Sequence, residues 1–198
     1  MLSSREVQIL IEKGMVEWEP IPEALRTPEL ESALREDWQK QFEIEGGYLD
    51  LTISEMRFLV GDIIPDISPC GRVEPKTRPV RWLTNEPIPY YRLMPEDYLL
   101  FTTRETFRIP PDITVRLDHK STMQRCGLDV ICSPAHASYN GRLTLGLKVI
   151  GPLPVDIRYG ARLLTSSFYR VNAEQTTQYS GPHQGGVITT EGKTIASY

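Results

Sequence analysis

The chain has 198 residues, of which 40% are apolar and 24% charged, with a formal net charge of −4. This length and balance are typical of a single globular domain. The negative charge argues against a partner that is a nucleic-acid polymer, because phosphate binding needs a basic surface. No apolar run reaches the roughly 18 residues of a membrane span, and no signal-peptide core begins the sequence, so we expect a cytoplasmic protein.

Two short helices are predicted near the N-terminus. The first follows Ser3, whose spacing to Glu6 is that of a capping box, and Gly14 ends it. The second is predicted over residues 28–42, where Thr27 can cap the start. Its apolar residues recur every four positions, at Leu30, Leu34, Trp38 and Phe42. A stripe at this spacing is more often a packing face than a lid over a cofactor.

The rest of the sequence favours β-structure. Short alternating runs separated by Gly and Pro predict a sandwich, jelly roll or barrel. The Pro-rich stretch 61–97 is predicted to be a long ordered excursion. The predicted strands are 48–53, 56–60, 98–103, 113–117, 129–133, 143–149 and 161–171.

This pattern predicts one mainly-β domain over 1–198. Its parts are a helical N-terminal segment at 1–47, a β core at 48–171 and a C-terminal tail or lid at 172–198.

Polar donors concentrate between two of the predicted strands, in "HKSTMQRC" at 119–126. This stretch is too long for a tight turn but fits one helical turn, whose first N–H groups are exposed. Lys120, Ser121 and Thr122 could complete an anion-binding cradle there, with Arg125 on the same face. The competing interpretation is a capped surface turn with a solvated arginine.

A zinc site of the nucleoside-deaminase type is excluded, because the sequence has no CxxC and no HxE motif. Cys126 and Cys132 are instead predicted to pack in the core, where a free cysteine behaves as a small apolar residue.

The stretch "HKSTMQRCGLDV" resembles the signature of the dCTP deaminase branch of the trimeric dUTPase superfamily. That signature has a basic residue, two Ser/Thr, an apolar residue, any residue, Arg, any residue, Gly and Leu. Further segments are similar to the family in the same order along the chain, among them "SSREVQILIEKGMVEWEP", "EGGYLDLTIS", "SYNGRLTLGLKV", "PVDIRYGARLLTSSFYRV" and the tail "QYSGPHQGG". The resemblance covers nearly the whole chain, apart from an insertion near 21–44 and an enlarged 61–92 region.

The resemblance implies a dUTPase-like distorted jelly roll with short N-terminal helices. It also implies a homotrimer with three active sites at subunit interfaces. The substrate would be a deoxyribonucleoside triphosphate, dCTP or dUTP. Mg²⁺ would bind through this triphosphate rather than to a cage of protein ligands, which suits magnesium chemistry.

The family's functional positions fall on the signature and on later aromatic residues. By resemblance, Lys120 and Thr122 contact phosphates. Ser121 helps to place the attacking water at the pyrimidine C4, and Arg125 supports charge at the reacting centre. Tyr139 lies at the aromatic position beneath the deoxyribose.

The C-terminal tail is similar to the family's lid, which closes over the phosphates. Tyr179 and Gln184 fall on its functional positions, although their spacing is about one residue longer than usual.

The sequence departs from both branches of the superfamily at the catalytic carboxylate. The glutamate that moves protons in the deaminases lies five residues after the Gly of a Y-x-G turn, and here that position is Gly146. The dUTPase aspartate lies five residues before the same Gly, and here that position is His136. Because histidine can act as a base near neutral pH, His136 is the best replacement in the sequence.

Three functional hypotheses therefore stay open, beside a β-protein that binds no nucleotide. The first is a deaminase that converts dCTP to dUTP and ammonia, with Ser121 and Arg125 in the family roles. The second is a catalytically silent relative that binds a nucleotide or a partner as a sensor. The third is a dUTPase-type pyrophosphohydrolase that uses His136.

Overall fold

A computed structural model of the protein describes residues 1–42, 47–61, 64–68, 71–174, 179–181, 183–186, 188, 191 and 193–196, without the side chains of 36–42, 193, 194 and 196. The helices are α1 (Ser4–Glu12), a 3-10 turn (Glu23–Leu25), α2 (Pro28–Phe42) and α3 (Ser121–Arg125). The strands are β1 (Val16–Trp18), β2 (Tyr48–Val60), β3 (Asp66–Ser68), β4 (Gly71–Glu74), β5 (Lys76–Pro79), β6 (Tyr90–Leu93), β7 (Tyr98–Arg108), β8 (Ile113–His119), β9 (Leu128–Ile131), β10 (Asn140–Val149), β11 (Val155–Arg158), β12 (Arg162–Arg170) and β13 (Lys193–Ala196).

The central feature is an antiparallel sheet that curves around one apolar core. Within the described residues it has eight strands, in the order β8-β12-β2-β7-β10-β9, with β1 added to β7 and β5 to β2. Two small sheets, β6–β11 and β3–β4–β13, complete this part of the chain. The side chains of Phe101, Phe107 and Phe168 are fully buried at its centre. The mainly-β, barrel-like architecture predicted from the sequence is confirmed.

The N-terminal helices form where their capping signals predict them. Ser3 and Glu6 make both bonds of the capping box, and the Oγ1 of Thr27 accepts from the N–H of Leu30 at 3.1 Å. Leu30 is buried, and Leu34 packs closely against Gly160, as expected of a packing face. The other two members of the stripe, Trp38 and Phe42, have side chains outside the described set.

A register shift explains why one long strand reads as two runs in the sequence. Residues 48–53 and 56–60 both belong to β2, and its pairing with β7 shifts between Ile53 and Met56. Such a bulge interrupts the alternation of buried and exposed side chains without ending the strand. The excursion at 61–97 is ordered as predicted where it is described, but much of it forms the short strands β3, β4, β5 and β6.

The two described cysteines differ in burial. Cys132 is half-buried against the core, whereas Cys126 is exposed at the end of α3. The prediction of core packing is therefore wrong for Cys126, because α3 is a surface turn held by a single buried residue, Met123. In the described part of the chain, no helix has the length and apolar character needed to cross a membrane.

Candidate functional site

The signature residues lie on α3, which connects β8 to β9. Met123 anchors this turn in the core, while the side chains of Ser121, Thr122 and Arg125 are exposed. Lys120 takes the N-cap position with extended backbone. The predicted helical turn between two strands is confirmed, and it presents three of its polar side chains to solvent.

Lys120 is held by a cluster of polar groups from two strands, β2 and β12. Its Nζ makes a short ion pair with Oδ2 of Asp50 on β2. The same carboxylate accepts from Thr165 Oγ1 at 2.9 Å and lies 3.4 Å from Arg162 Nη1, both on β12. Asp50 lies in "EGGYLDLTIS", one of the segments similar to the family, and its carboxylate connects the signature turn to β2 and β12.

A pocket of about 400 Å³ lies beside β8, β10 and the loop that precedes β10. This volume lies within the usual range for small-molecule sites. Apolar side chains, five of them leucines, line the pocket together with eight polar or aromatic residues. These polar or aromatic residues are Glu74, Thr77, Ser133, His136, Tyr139, Thr144, Tyr179 and His183.

Three rings lie together along one side of the pocket. The ring of His136 is parallel to that of Tyr179, with centroids 5.7 Å apart, and Tyr139 lies 5.7 Å from Tyr179 at an angle of 56°. The Tyr139 hydroxyl donates to the carbonyl of Arg142, and burial raises its pKa to about 12. Tyr139 therefore keeps its proton at neutral pH and offers a flat, uncharged face to the pocket.

The C-terminal tail is fixed over this pocket by the side chain of Gln184. Its Oε1 accepts from the N–H of Asn140 at 2.8 Å. Its Nε2 donates to the carbonyls of Tyr179 at 2.9 Å and Ser138 at 3.2 Å. Both ends of the amide are thus used to connect the tail to the turn before β10, while the predicted phosphate contact of Gln184 stays a prediction.

The structure brings together only part of the predicted site. His136, Tyr139 and Tyr179 line one pocket, and Gln184 ties the tail beside it. Among the described residues that line this pocket, none belongs to the signature stretch 120–125. Within a single chain the predicted residues thus form two separate groups.

Gly146, at the position of the deaminase glutamate, is covered by Tyr98. A Cβ built on Gly146 would lie 2.9 Å from the hydroxyl of Tyr98 and 3.2 Å from Cε2 of its ring. Tyr98 on β7 is one-third exposed, and burial raises the pKa of its phenol. A neutral phenol therefore occupies the space into which a side chain at Gly146 would point.

One carboxylate that lines the pocket was not predicted from the sequence. Glu74 lies at the end of β4, and its Oε1 is 3.0 Å from Arg72 Nε and 3.4 Å from His183 Nε2. The signal in the sequence is weak: Arg72 and Glu74 have the spacing that puts two strand residues on the same face. They lie in the enlarged 61–92 region, for which the resemblance gave no counterpart.

Comparison with known proteins identifies the family. A model of the dCTP deaminase-like family matches residues 1–171. The chain belongs to the dCTP deaminase-like family. Membership supports the resemblance drawn from the signature and its flanking segments.

Relatives match over nearly the full chain. A dUMP-forming dCTP deaminase of Aquifex aeolicus is 27% identical over 95% of this chain and 92% of its own length. A dCTP deaminase of Sulfurisphaera tokodaii is 26% identical over 100% of this chain and 95% of its own. A probable deoxyuridine 5′-triphosphate nucleotidohydrolase of Methanosarcina mazei is 27% identical over 93% of this chain and 96% of its own.

Among solved structures, the 2′-deoxycytidine 5′-triphosphate deaminase of Agrobacterium tumefaciens aligns with a TM-score of 0.56 at 16% identity. The alignment covers 86% of this chain and 48% of that one, so this chain spans about half the length of the solved protein. The likeness shows that the fold is that of the family, and the predicted fold class is confirmed.

Proposed function

We propose that the protein binds deoxycytidine triphosphate and hydrolyses its amino group, forming dUTP and ammonia. The observation that carries this proposal is the family match over residues 1–171, which contains the signature turn and most of the pocket. Three relatives with names that specify dCTP or dUTP chemistry support the substrate class.

The pocket suits a pyrimidine deoxynucleoside. Tyr139 and Tyr179 supply flat ring faces, and leucine side chains supply apolar walls. A nucleobase gains on the order of 1–3 kcal/mol from each aromatic partner on which it stacks. The close approach of Tyr139 to the sugar would disfavour a 2′-hydroxyl.

The triphosphate requires cations and hydroxyl donors, and the signature turn presents them. Thr122 would bind its oxygens with Arg125 beside it, and Lys120 would join them by exchanging its ion pair with Asp50 for a phosphate oxygen. Among the described residues no three His, Cys, Asp or Glu side chains cluster as metal ligands would. We expect an Mg²⁺ ion to be held by the triphosphate and to neutralise part of its charge when bound.

A site shared between chains would unite the two groups of residues. The signature turn and the pocket are separate within one chain, whereas a homotrimer can place the turn of one subunit against the pocket of the next. In such a heterologous contact each of the three sites would draw residues from two subunits.

In the reaction, water adds to C4 of the base and the amino group leaves as ammonia. Ser121 would orient this water through its hydroxyl, and Arg125 would stabilise charge that develops on the ring. The reaction also needs a group that accepts a proton from water and returns it to the substrate.

Ser121→Ala tests the assignment. Loss of the orienting hydroxyl should lower kcat on the order of 10²-fold, while dCTP binding persists. A variant with wild-type turnover would contradict the assignment of Ser121.

A mixing experiment tests whether the site is shared. Ser121→Ala changes the turn, and Tyr179→Ala changes the pocket. If each variant is inactive alone, mixing the two in equal amounts should restore activity. In randomly assembled trimers, about one subunit interface in four combines an intact turn from one subunit with an intact pocket from the next. An inactive mixture would indicate that both groups act within one chain.

A second candidate is a silent relative that binds the nucleotide without turnover. The observation that favours it lies at Gly146. The space that a side chain at this position would enter holds the Tyr98 phenol and no carboxylate. Measurable dCTP binding without product, together with deamination gained by Gly146→Glu in a Tyr98→Ala background, would support this candidate. dUMP and pyrophosphate formed from dUTP would instead support a pyrophosphohydrolase that uses His136.

A further inference from the structure

The position of Glu74 bears on the absent family carboxylate. Of the described residues that line the pocket, Glu74 is the one with a carboxylate. It shares the pocket with Tyr139, Tyr179 and His136. An acid group beside stacked rings in a mainly apolar cavity is placed to act on a bound base rather than on bulk solvent.

The surroundings of Glu74 hold it in one position. β4 pairs with β13 on one side and with β3 on the other, and Glu74 lies opposite Lys193 in this small sheet. Arg72 and His183 both approach Oε1, and they also contact each other. Among the described residues none donates a hydrogen bond to Oε2, and the side chain is 26% exposed. One oxygen is thus anchored while the other is open to a ligand.

The pocket also extends to strand residues that flank Gly146, although Gly146 itself is not among the residues that line it. Leu100 on β7 is the register partner of Gly146, and Thr144 precedes Gly146 by two residues on the same face of β10. Both Leu100 and Thr144 line the pocket together with Glu74. A base bound in the pocket would therefore lie near the strand residues that flank Gly146, where the carboxylate is missing, and near Glu74, which supplies one.

We propose that Glu74 is the general base of the deamination, supplied by β4 in place of the family glutamate on β10. This inference rests on the proposed function. Glu74 takes a proton from water as the water oxygen bonds to C4 of cytosine, and it delivers this proton to N3. The remaining hydroxyl proton passes to the amino group, the C4–N bond breaks, and ammonia leaves a uracil with C4=O and N3–H. His183 and Arg72 are positioning residues that fix the carboxylate.

The test compares kcat and KM for dCTP, with Mg²⁺, in Glu74→Gln, Glu74→Asp and a matched control. The control is Glu55→Gln, since Glu55 also pairs with an arginine two residues away, Arg57 at 2.7 Å, but lies outside the pocket lining. Loss of a general base typically lowers the rate on the order of 10²–10⁴-fold. We expect a loss in this range for Glu74→Gln, with little change in KM and an unchanged melting temperature, and Glu55→Gln within about twofold of wild type.

Glu74→Asp separates catalysis from structure. This variant keeps the negative charge, but its side chain is one methylene shorter. If Glu74 is the general base, the enzyme should lose most of its turnover even when the ion pair with Arg72 re-forms. Wild-type turnover in either Glu74 variant would overturn the role of Glu74 as the base. It would not contradict the proposed deamination of dCTP. Loss of rate in His136→Asn but not in Glu74→Gln would assign the base to His136 instead. A wild-type protein that forms no dUTP would overturn both proposals.

Discussion

The contact between Gly146 and Tyr98 gives a stability prediction that does not depend on activity. Gly146→Ala adds one methyl group, placed 2.9 Å and 3.2 Å from atoms of Tyr98 and 3.2 Å from Cβ of Ile131. These distances are shorter than the roughly 3.5–4.0 Å of a normal carbon contact. Tyr98 must therefore move when the methyl group is introduced.

The size of the effect follows from two opposing contributions. Overpacking of this kind costs about 1–3 kcal/mol. Replacing glycine within a strand returns about 0.5–1 kcal/mol, because less backbone entropy is lost on folding. Gly146→Ala should therefore lower the free energy of unfolding by up to about 2.5 kcal/mol.

A double-mutant cycle isolates the cause. Tyr98→Ala removes two of the three close contacts, so Gly146→Ala in that background should be neutral or stabilising. We expect a coupling free energy of about 1–2 kcal/mol from urea unfolding of the four proteins. Tyr48→Ala, a half-exposed tyrosine on β2 that does not approach Gly146, serves as a control that should be additive. Equal effects of Gly146→Ala in the wild-type and Tyr98→Ala backgrounds would refute this reasoning.

Three further predictions concern buried groups. Burial raises the pKa of Glu105, whose carboxylate accepts from the N–H and Oγ1 of Thr52 at 2.9 Å and 2.7 Å. Because the folded state then holds this proton more tightly, its contribution to stability falls as pH rises from the usual glutamate range through the raised pKa. In Glu105→Gln the free energy of unfolding should fall less with rising pH, as measured by unfolding at about pH 5 and about pH 8. A pH dependence equal to that of the wild type would contradict a raised pKa for Glu105. The phenol of Tyr139 should ionise only near pH 12. In a titration of tyrosine ionisation followed by absorbance, Tyr139→Phe should therefore remove a step near that pH. Loss of a step at lower pH would contradict the prediction. Phe168→Ala leaves a cavity at a fully buried position and should lower the free energy of unfolding, measured with urea, by about 3–5 kcal/mol. A decrease below about 1 kcal/mol would mean that the core around Phe168 is not close-packed.

Local signals in the sequence predicted much of the fold because they act over a few residues. The capping box at Ser3 and the cap at Thr27 set two helix starts, and the alternation of apolar residues marked the long strands. The bulge in β2 was not predictable in this way, since it depends on pairing with β7, a strand some 45 positions further along. The strands at 61–97 were missed because their partners are as distant as β13.

The site was predictable only where residues lie close together in the chain. The signature turn at 120–125 is contiguous, and its conformation followed from the strands on either side. The pocket combines Glu74, His136 and His183, which are up to 109 positions apart, so their meeting depends on the whole sheet. The cover that Tyr98 forms over Gly146 likewise depends on the register of β7 against β10.

We propose that this chain deaminates dCTP although Gly146 stands where the resemblance places the family's glutamate. The most direct measurement incubates the purified protein with dCTP and Mg²⁺ and separates the nucleotides by chromatography, with dUTP alone run in parallel. We expect dUTP and ammonia to appear from dCTP in equal amounts. Unchanged dCTP, in a sample that binds dCTP measurably, would contradict the claim and identify a binding protein instead.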